Sequence, residues 1–146
     1  LHTVIMSNTL NAYLSQSDKG ELVLGGAADR YNSYAQRGSF RILEENVQGM
    51  LELCPIFGRV KLMRQWGGVV DISPDASPII GLTPVKGLYI NCGWGTGGFK
   101  ATPGAGFIFA DTIANNRPHP IAEPFGLNRF EEGRLIDENS AAGVAH

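Results

Sequence analysis

The chain has 146 residues, of which 43% are hydrophobic and 18% are charged, and its formal net charge at pH 7 is −2. This length is typical of one domain, and lysine and arginine form no run that could follow a phosphate backbone, so we set nucleic acid aside as a partner. No stretch reaches the roughly 18 to 20 apolar residues that span a bilayer, and residues 1–10 lack the order of a signal peptide, so we expect a soluble, cytoplasmic protein without membrane contact.

The start of the chain is predicted to form a β meander. Residues 1–7 and 12–18 are short and rich in β-forming side chains, and residues 18–20 (DKG) are a turn that leads into a third such segment from Glu21. The three segments therefore fit neighbouring antiparallel strands.

A helix is predicted to follow this meander. Apolar side chains recur at three- and four-residue steps from Phe40 to Cys54, with charged and polar residues between them, which is the pattern of an amphipathic helix. Ser39 is a suitable N-cap. Pro55 ends the helix, because the residue before a proline is pushed out of the helical region.

The second half is predicted to contain three strands, a helix and a tail. A strand pattern covers residues 60–71 and includes Gly67 and Gly68, where we expect a bulge or a close ligand approach. Residues 79–80 and 87–92 read as further strands, a helix runs from Ala105 to about Asn115, and the prolines after it prevent its continuation. The residues after Pro120 are expected to form an extended arm.

This order of elements predicts an α+β fold with a mostly antiparallel sheet, two main helices and an extended C-terminal tail. The two cysteines, Cys54 and Cys92, lie far apart and belong to no CxxC pair, and the histidines do not cluster. We therefore expect two ordinary thiols, with neither a disulfide framework nor a metal site.

The most informative stretch is the glycine-rich segment before the second helix. Gly93, Gly95 and Gly98 match G-x-G-x-x-G, but no second parallel strand follows the helix, which argues against a free-standing dinucleotide fold. The phosphate-binding P-loop is also a poor match, because Phe99 separates Gly98 from Lys100 and no hydroxyl residue follows the lysine.

Such a loop lets the backbone approach a flat ligand and directs amide groups towards it ahead of a helix. These donors suit the negative charge of a reduced flavin, and Lys100 adds a full positive charge beside them. Both features also have ordinary explanations, because most lysines are solvated and glycines often serve only to form a tight turn. On residue types alone these alternatives stay open.

Five segments together resemble a known family. They are 12–23 (AYLSQSDKGELV), 34–38 (YAQRG), 64–71 (RQWGGVVD), 93–104 (GWGTGGFKATPG) and 133–139 (GRLIDEN). They are similar to the beta subunits of heterotetrameric sarcosine oxidases, within the glycine oxidase and D-amino-acid oxidase superfamily. The resemblance covers essentially the whole chain.

The resemblance implies an FAD-dependent amine oxidase that converts the N-methyl amine of sarcosine to an imine and produces hydrogen peroxide. The intact family complex has alpha, gamma and delta subunits and also uses FMN, tetrahydrofolate and NAD. By the same resemblance Lys100 pairs with the substrate carboxylate, and Trp66, Gly67 and Gly68 line the substrate cavity. The implied FAD contacts are Gly95, Thr96, Gly97, Gly98, Phe99 and Lys100.

The family's glycine fingerprint for the ADP half of FAD, its second carboxylate-binding residue and its FMN-carrying histidine are not found in this sequence. We therefore expect a C-terminal piece that lacks the FAD-binding Rossmann half, is inactive alone and self-associates. Its expected segments are a substrate-domain portion (1–92), a flavin-contacting loop with its helix (93–117) and a C-terminal arm (118–146). Two alternatives stay open, namely oxidation of another secondary amino acid such as dimethylglycine or proline, and a non-catalytic subunit-interaction module.

Overall fold

The computed structural model describes residues 1–136 of the chain. Residues 137–146 lie outside the described residues, and they include the end of the predicted arm and part of the segment 133–139. The chain divides into two compact units, the first comprising Leu1–Val69 and the second beginning at Val70. The expected division at residues 92 and 117 stays a prediction.

The first unit opens with the predicted antiparallel meander, which is confirmed. Its strands are β1 (Ile5–Ser7), β2 (Ala12–Gln16) and β3 (Leu22–Gly26), in the order β1-β2-β3. Leu14 on the central strand lies opposite Ile5 and Leu24, so that apolar side chains from all three strands share one face. Ala12 and Leu14 are buried, which places part of the small core against this face.

Helix α1 (Phe40–Leu53) follows, and it ends one residue before the predicted Cys54, which is its C-cap. The Ser39 hydroxyl accepts a hydrogen bond from the Ile42 amide at 3.3 Å, as expected for an N-cap. At the other end the Cys54 amide donates to the Met50 carbonyl at 2.7 Å, and a short 3-10 helix (Pro55–Arg59) continues the chain. Met50 is the buried hydrophobic side chain by which α1 packs into the core.

The predicted strand over residues 60–71 is wrong, because no strand forms there. The amide of Gly67, which a strand would direct to a neighbouring strand, donates instead to the Gln36 carbonyl at 2.7 Å. Gln65 also reaches back, with Nε2 donating to the Ser39 carbonyl at 2.9 Å. The segments 34–38 and 64–68 therefore lie side by side as irregular chain, and Gly67 and Gly68 are not part of a β-sheet.

The second unit contains a two-stranded antiparallel sheet and the longest helix. Strands β4 (Ile79–Leu82) and β5 (Tyr89–Cys92) form the sheet, and a 3-10 turn (Gly95–Gly97) leads into α2 (Gly98–Asn115). The helix begins at Gly98 rather than at the predicted Ala105 and includes Pro103. Burial of Ala105 and Thr112 stabilises this glycine-rich segment, whose intrinsic helix propensity is poor.

The described part of the tail is not the extended arm that the sequence predicted. It forms two short 3-10 helices (Glu123–Phe125 and Leu127–Arg129), and both pack against β4. The side chain of Arg129 is buried by this packing. The reason is an ion pair between Arg129 and Asp75, which no local pattern could predict.

The α+β class is confirmed, because two main helices accompany strands that pair only in antiparallel fashion within the described residues. Among residues 1–136 no helix is long and apolar enough to cross a membrane.

Candidate functional site

The six predicted flavin contacts lie close together at one point of the second unit, where β5 ends and α2 begins. The 3-10 turn carries Gly95, Thr96 and Gly97, and the first turn of α2 carries Gly98, Phe99 and Lys100. Gly97 has φ −87° and ψ −10°, so the chain passes from the 3-10 turn into α2 without a break. The whole segment is therefore one continuous helical start.

Gly95 is the residue that opens this start towards a ligand. Its φ of +54° is left-handed, which strains residues with a side chain. A Cβ built at Gly95 meets no heavy atom within 4 Å, so the space beside its backbone is open. A flat group could approach the main chain here.

Not every amide of the loop is available to such a group. The Gly95 amide donates to the Asp71 carbonyl at 3.0 Å, and the Gly97 amide donates to the Trp94 carbonyl at 3.0 Å. In the part of the chain that the structure describes, no side chain caps the N-terminus of α2, and its first turn contains no acidic residue. The remaining capacity to bind an anion therefore belongs to the uncapped start of α2, where the helix dipole is positive.

Lys100 strengthens the positive character of the same place. It lies in the first turn of α2 and is exposed, and its Cε is 3.8 Å from the position that a Cβ on Gly97 would take. A cation at a helix N-terminus is unfavourable for the helix, because it faces the positive end of the dipole. An anionic ligand bound between Lys100 and the helix start would offset this repulsion. Solvation of Lys100 alone would leave the repulsion in place.

These features fit an anionic cofactor with a flat ring such as FAD. The donor set consists of backbone amides and one lysine, and the open space at Gly95 admits a ring edge. Phe99 is 95% exposed in the same turn, which leaves a large apolar surface for a bound partner to cover. The individual contacts of Gly95 to Lys100 with FAD stay predictions.

The predicted substrate-cavity residues belong to the first unit. The Trp66 side chain is 63% exposed, and a Cβ on Gly68 would meet nothing within 4 Å. Gly67 is more confined, since its Cβ would lie 3.1 Å from the Gly38 amide nitrogen. Their place in a substrate cavity is still a prediction.

Sequence reasoning missed the main electrostatic feature, the pair of Asp75 and Arg129. Arg129 Nε donates to Asp75 Oδ2 at 2.7 Å and Nη2 donates to Oδ1 at 2.8 Å, with both side chains at most 2% exposed. Arg129 holds the pKa of Asp75 well below its ordinary value, although burial opposes that shift. No local pattern could indicate this pair, because the two residues lie 54 positions apart in the sequence.

The remaining reactive side chains among residues 1–136 offer no second site. Burial, and secondarily the Asp71 carboxylate, raises the pKa of the Cys92 thiol, which keeps it protonated and a poor nucleophile. Cys54 and Cys92 are both free thiols. His119 Nδ1 accepts from the Ile121 amide at 3.1 Å and so serves a local turn. Within residues 1–136 no three His, Cys, Asp or Glu side chains are grouped to hold a metal ion.

Comparison with known proteins assigns the chain to a family. The family model described as FAD dependent oxidoreductase matches residues 2–112. A sarcosine oxidase subunit beta from Arthrobacter sp. is 58% identical over 99% of this chain and 36% of its own length, and one from Rhodobacter capsulatus is 53% identical over 100% and 35%. The chain thus spans about a third of the length of these curated relatives, and they confirm the resemblance seen in the sequence.

A solved structure also shares the fold. The crystal structure of L-proline dehydrogenase from P. horikoshii has a TM-score of 0.78 and 25% sequence identity, over 88% of this chain and 35% of that one. The shared fold therefore extends over most of the chain.

Proposed function

The chain belongs to the FAD dependent oxidoreductase family, and from that premise we propose that it is the C-terminal part of a sarcosine oxidase beta subunit. In the complete subunit it would help to oxidise the N-methyl amine of sarcosine to an imine, with production of hydrogen peroxide. FAD, when bound, supplies the hydride acceptor for this chemistry. The residues of this chain would bind and orient the reactants.

The observation that carries the proposal is the 58% identity to a sarcosine oxidase subunit beta over 99% of the chain. The alignment covers 144 residues of the chain, so the proposal does not depend on one motif. The uncapped helix start with Lys100 supplies the physical reason why an anionic cofactor would suit the loop.

Two roles follow for the residues of the loop. The amides at the start of α2, with Gly95, Thr96, Gly97, Gly98 and Phe99 around them, would contact FAD. Lys100 would pair with the substrate carboxylate and so hold the amine over the ring, which is a charge-assisted contact with strong orienting power. Trp66, Gly67 and Gly68 would line the cavity that receives the substrate.

The same proposal includes partners and cofactors beyond this chain. The complete subunit would assemble with alpha, gamma and delta subunits, and FMN, tetrahydrofolate and NAD would act in that complex, which we expect to be cytoplasmic. The chain by itself would be inactive and would bind FAD weakly, because the contacts to the ADP half of FAD are not among its residues. A flavin spectrum on the purified chain would contradict this last expectation.

Another secondary amino acid is the second candidate substrate. The L-proline dehydrogenase structure shares the fold at 25% identity, and proline also presents a carboxylate beside a secondary amine. Lys100 could therefore serve proline equally well, and it could also serve dimethylglycine, which is a tertiary amine but carries the same carboxylate. Pocket residues outside this chain would make the distinction, so substrates must be compared in the complete assembly.

The decisive experiment compares the complete assembly with a Lys100→Met variant and measures hydrogen peroxide production from sarcosine. We expect the variant to lose about 2 to 4 kcal/mol of substrate binding, seen mainly as a raised KM, because the substrate carboxylate loses its charged partner. The Tm should stay constant or rise slightly, since removing a cation from a helix N-terminus is worth about 0.3 to 1 kcal/mol.

Lys86→Met is the matched control, because Lys86 is exposed in the turn between β4 and β5 of the same unit. Its KM should equal that of the wild type. A Lys100→Met variant with an unchanged KM would favour the non-catalytic interaction module. A flavin-loaded assembly that oxidises proline or dimethylglycine but not sarcosine would keep the fold and change the substrate.

A further inference from the structure

Asp71 holds the glycine loop from two directions. The Gly93 amide donates to Asp71 Oδ2 at 2.6 Å, and the Gly95 amide donates to the Asp71 carbonyl at 3.0 Å. The residue between these glycines, Trp94, forms an antiparallel bridge with Ile72. One short segment, residues 71–72, therefore contacts three successive residues of the loop.

The loop needs such restraint because of its composition. Gly93 and Gly95 have φ values of +71° and +54°, and glycine explores many backbone conformations at little steric cost. Fixing each residue in one conformation costs conformational entropy, which the loop must recover from contacts. The two hydrogen bonds to Asp71 offset part of this cost at Gly93 and Gly95 themselves.

The segment that carries Asp71 is itself firmly anchored. The Ser73 hydroxyl donates to the Ser77 carbonyl at 2.6 Å and lies 3.0 Å from Asp75 Oδ1. Asp75 is held by the buried guanidinium of Arg129, which also donates to the Ser77 carbonyl at 2.9 Å. Asp71 thus connects the glycine loop, whose backbone could adopt many conformations, to the buried cluster around Arg129.

The charge of Asp71 argues against a direct role in binding an anion. Asp71 is an exposed residue, and the negative charge of its carboxylate beside the loop would repel an anionic ligand at the start of α2. Asp71 also occupies the Gly93 and Gly95 amides, so that a ligand must use the amides further along the helix. Both facts fit a residue that shapes the loop rather than one that touches the ligand.

We propose that Asp71 is a positioning residue, which sets the glycine loop in the conformation that receives FAD. This inference rests on the proposed function and deepens it, because it assigns a role to the Asp71 side chain, which accepts a hydrogen bond from the loop. The role depends on a hydrogen-bond acceptor at Oδ2 and not on the negative charge. Asparagine should therefore replace Asp71, whereas alanine should not.

The test uses the complete subunit in three forms, namely wild type, Asp71→Ala and Asp71→Asn. Hydrogen exchange at the Gly93 amide should become about tenfold faster or more in Asp71→Ala, and the dissociation constant for FAD should rise by about tenfold, since the hydrogen bond from the Gly93 amide to Oδ2 is lost. Asp71→Asn should bring both values back to within about threefold of the wild type. Asp18→Ala, at an exposed aspartate of the first unit, is the matched control and should change neither value.

The outcomes separate this inference from the proposed function. Wild-type FAD affinity in Asp71→Ala, in a protein whose Gly93 amide exchanges faster, would overturn the positioning role and leave the proposed function intact. An Asp71→Asn variant as impaired as Asp71→Ala would overturn it as well, because the charge would then be what matters. A correctly folded wild-type subunit that takes up no FAD would overturn the proposed function and the role of Asp71 together.

Discussion

The guanidinium of Arg129 is satisfied on every side, which is how a full charge can be buried at this position. Nε and Nη2 bind the Asp75 carboxylate, Nη2 also donates to the Ser77 carbonyl, and Nη1 donates to the carbonyls of Phe125 and Gly126. The Phe130 ring lies 4.2 Å from the guanidinium carbon. One side chain therefore joins the tail to the β4 region, and loss of either partner would leave an uncompensated buried charge.

This pair should make the protein sensitive to acid. The pKa of Asp75 is lower in the folded state, where Arg129 pairs with it, than in the unfolded state, where it lies near its ordinary value of 3.8. The stabilisation is therefore complete above about pH 4 and is lost as the pH falls towards the folded pKa. We expect the free energy of unfolding to fall below about pH 4 more steeply in the wild type than in Asp75→Asn.

Unfolding by urea at a series of pH values would measure this difference. At neutral pH Asp75→Asn should already cost about 3 to 5 kcal/mol, because Arg129 keeps its charge without a full counter-charge. Glu45→Gln, in the exposed pair with Arg41, is the control and should cost at most about 1 kcal/mol. Parallel pH profiles for the wild type and Asp75→Asn would contradict the assigned role of the pair.

At the scale of elements, α1 depends on its N-cap. The Ser39 hydroxyl accepts from the Ile42 amide and donates to Asp29 Oδ1 at 2.7 Å, so it links the helix start to the preceding loop. Ser39→Ala should lower the free energy of unfolding by about 1 kcal/mol, as measured by chemical denaturation.

Ser33→Ala offers a matched comparison for the cap. The Ser33 hydroxyl accepts only from the Ala35 amide in an exposed loop, so its loss should cost less than about 0.5 kcal/mol. Equal costs for both substitutions would mean that the cap contributes nothing beyond an ordinary surface hydrogen bond.

The elements that the sequence predicted correctly are those specified by near neighbours. The helix periodicity, Ser39 and Pro55 define α1 within sixteen positions of one another, and the DKG turn defines the hairpin of β2 and β3. The failures depended on distant contacts. No strand forms at residues 60–71, where the Gly67 amide donates to the Gln36 carbonyl instead of to a neighbouring strand. The tail is not extended, because Arg129 forms an ion pair with Asp75.

The start of α2 was misplaced for a related reason. Glycines and Pro103 lower the intrinsic helix propensity of residues 98–104, which made Ala105 the first convincing helical residue. Packing of Ala105 and Thr112 extends the helix backwards against that propensity. The candidate residues of the loop could be proposed from the sequence because glycines and a nearby lysine are recognisable locally. Asp71 was not singled out, because its partners Gly93 and Gly95 lie 22 and 24 positions away.

At the scale of the whole molecule, much apolar surface is exposed. Phe99, Phe107 and Tyr34 are at least 70% exposed, and the meander offers a free edge at β1, beside which Val4 and Met6 are 58% and 72% exposed. An unprotected strand edge with apolar side chains is a ready partner for another strand. The surface thus suits a chain that is covered by other protein.

We therefore expect the purified chain to form dimers or larger species. Val4→Lys should shift it towards the monomer in light scattering, because a lysine beside β1 is costly to bury when a second strand pairs there. Val85→Lys adds the same charge to the exposed turn between β4 and β5 and should leave the association unchanged. A clean monomer of the unmodified chain at high concentration would contradict the prediction, and equal effects of both lysines would place the contact away from the β1 edge.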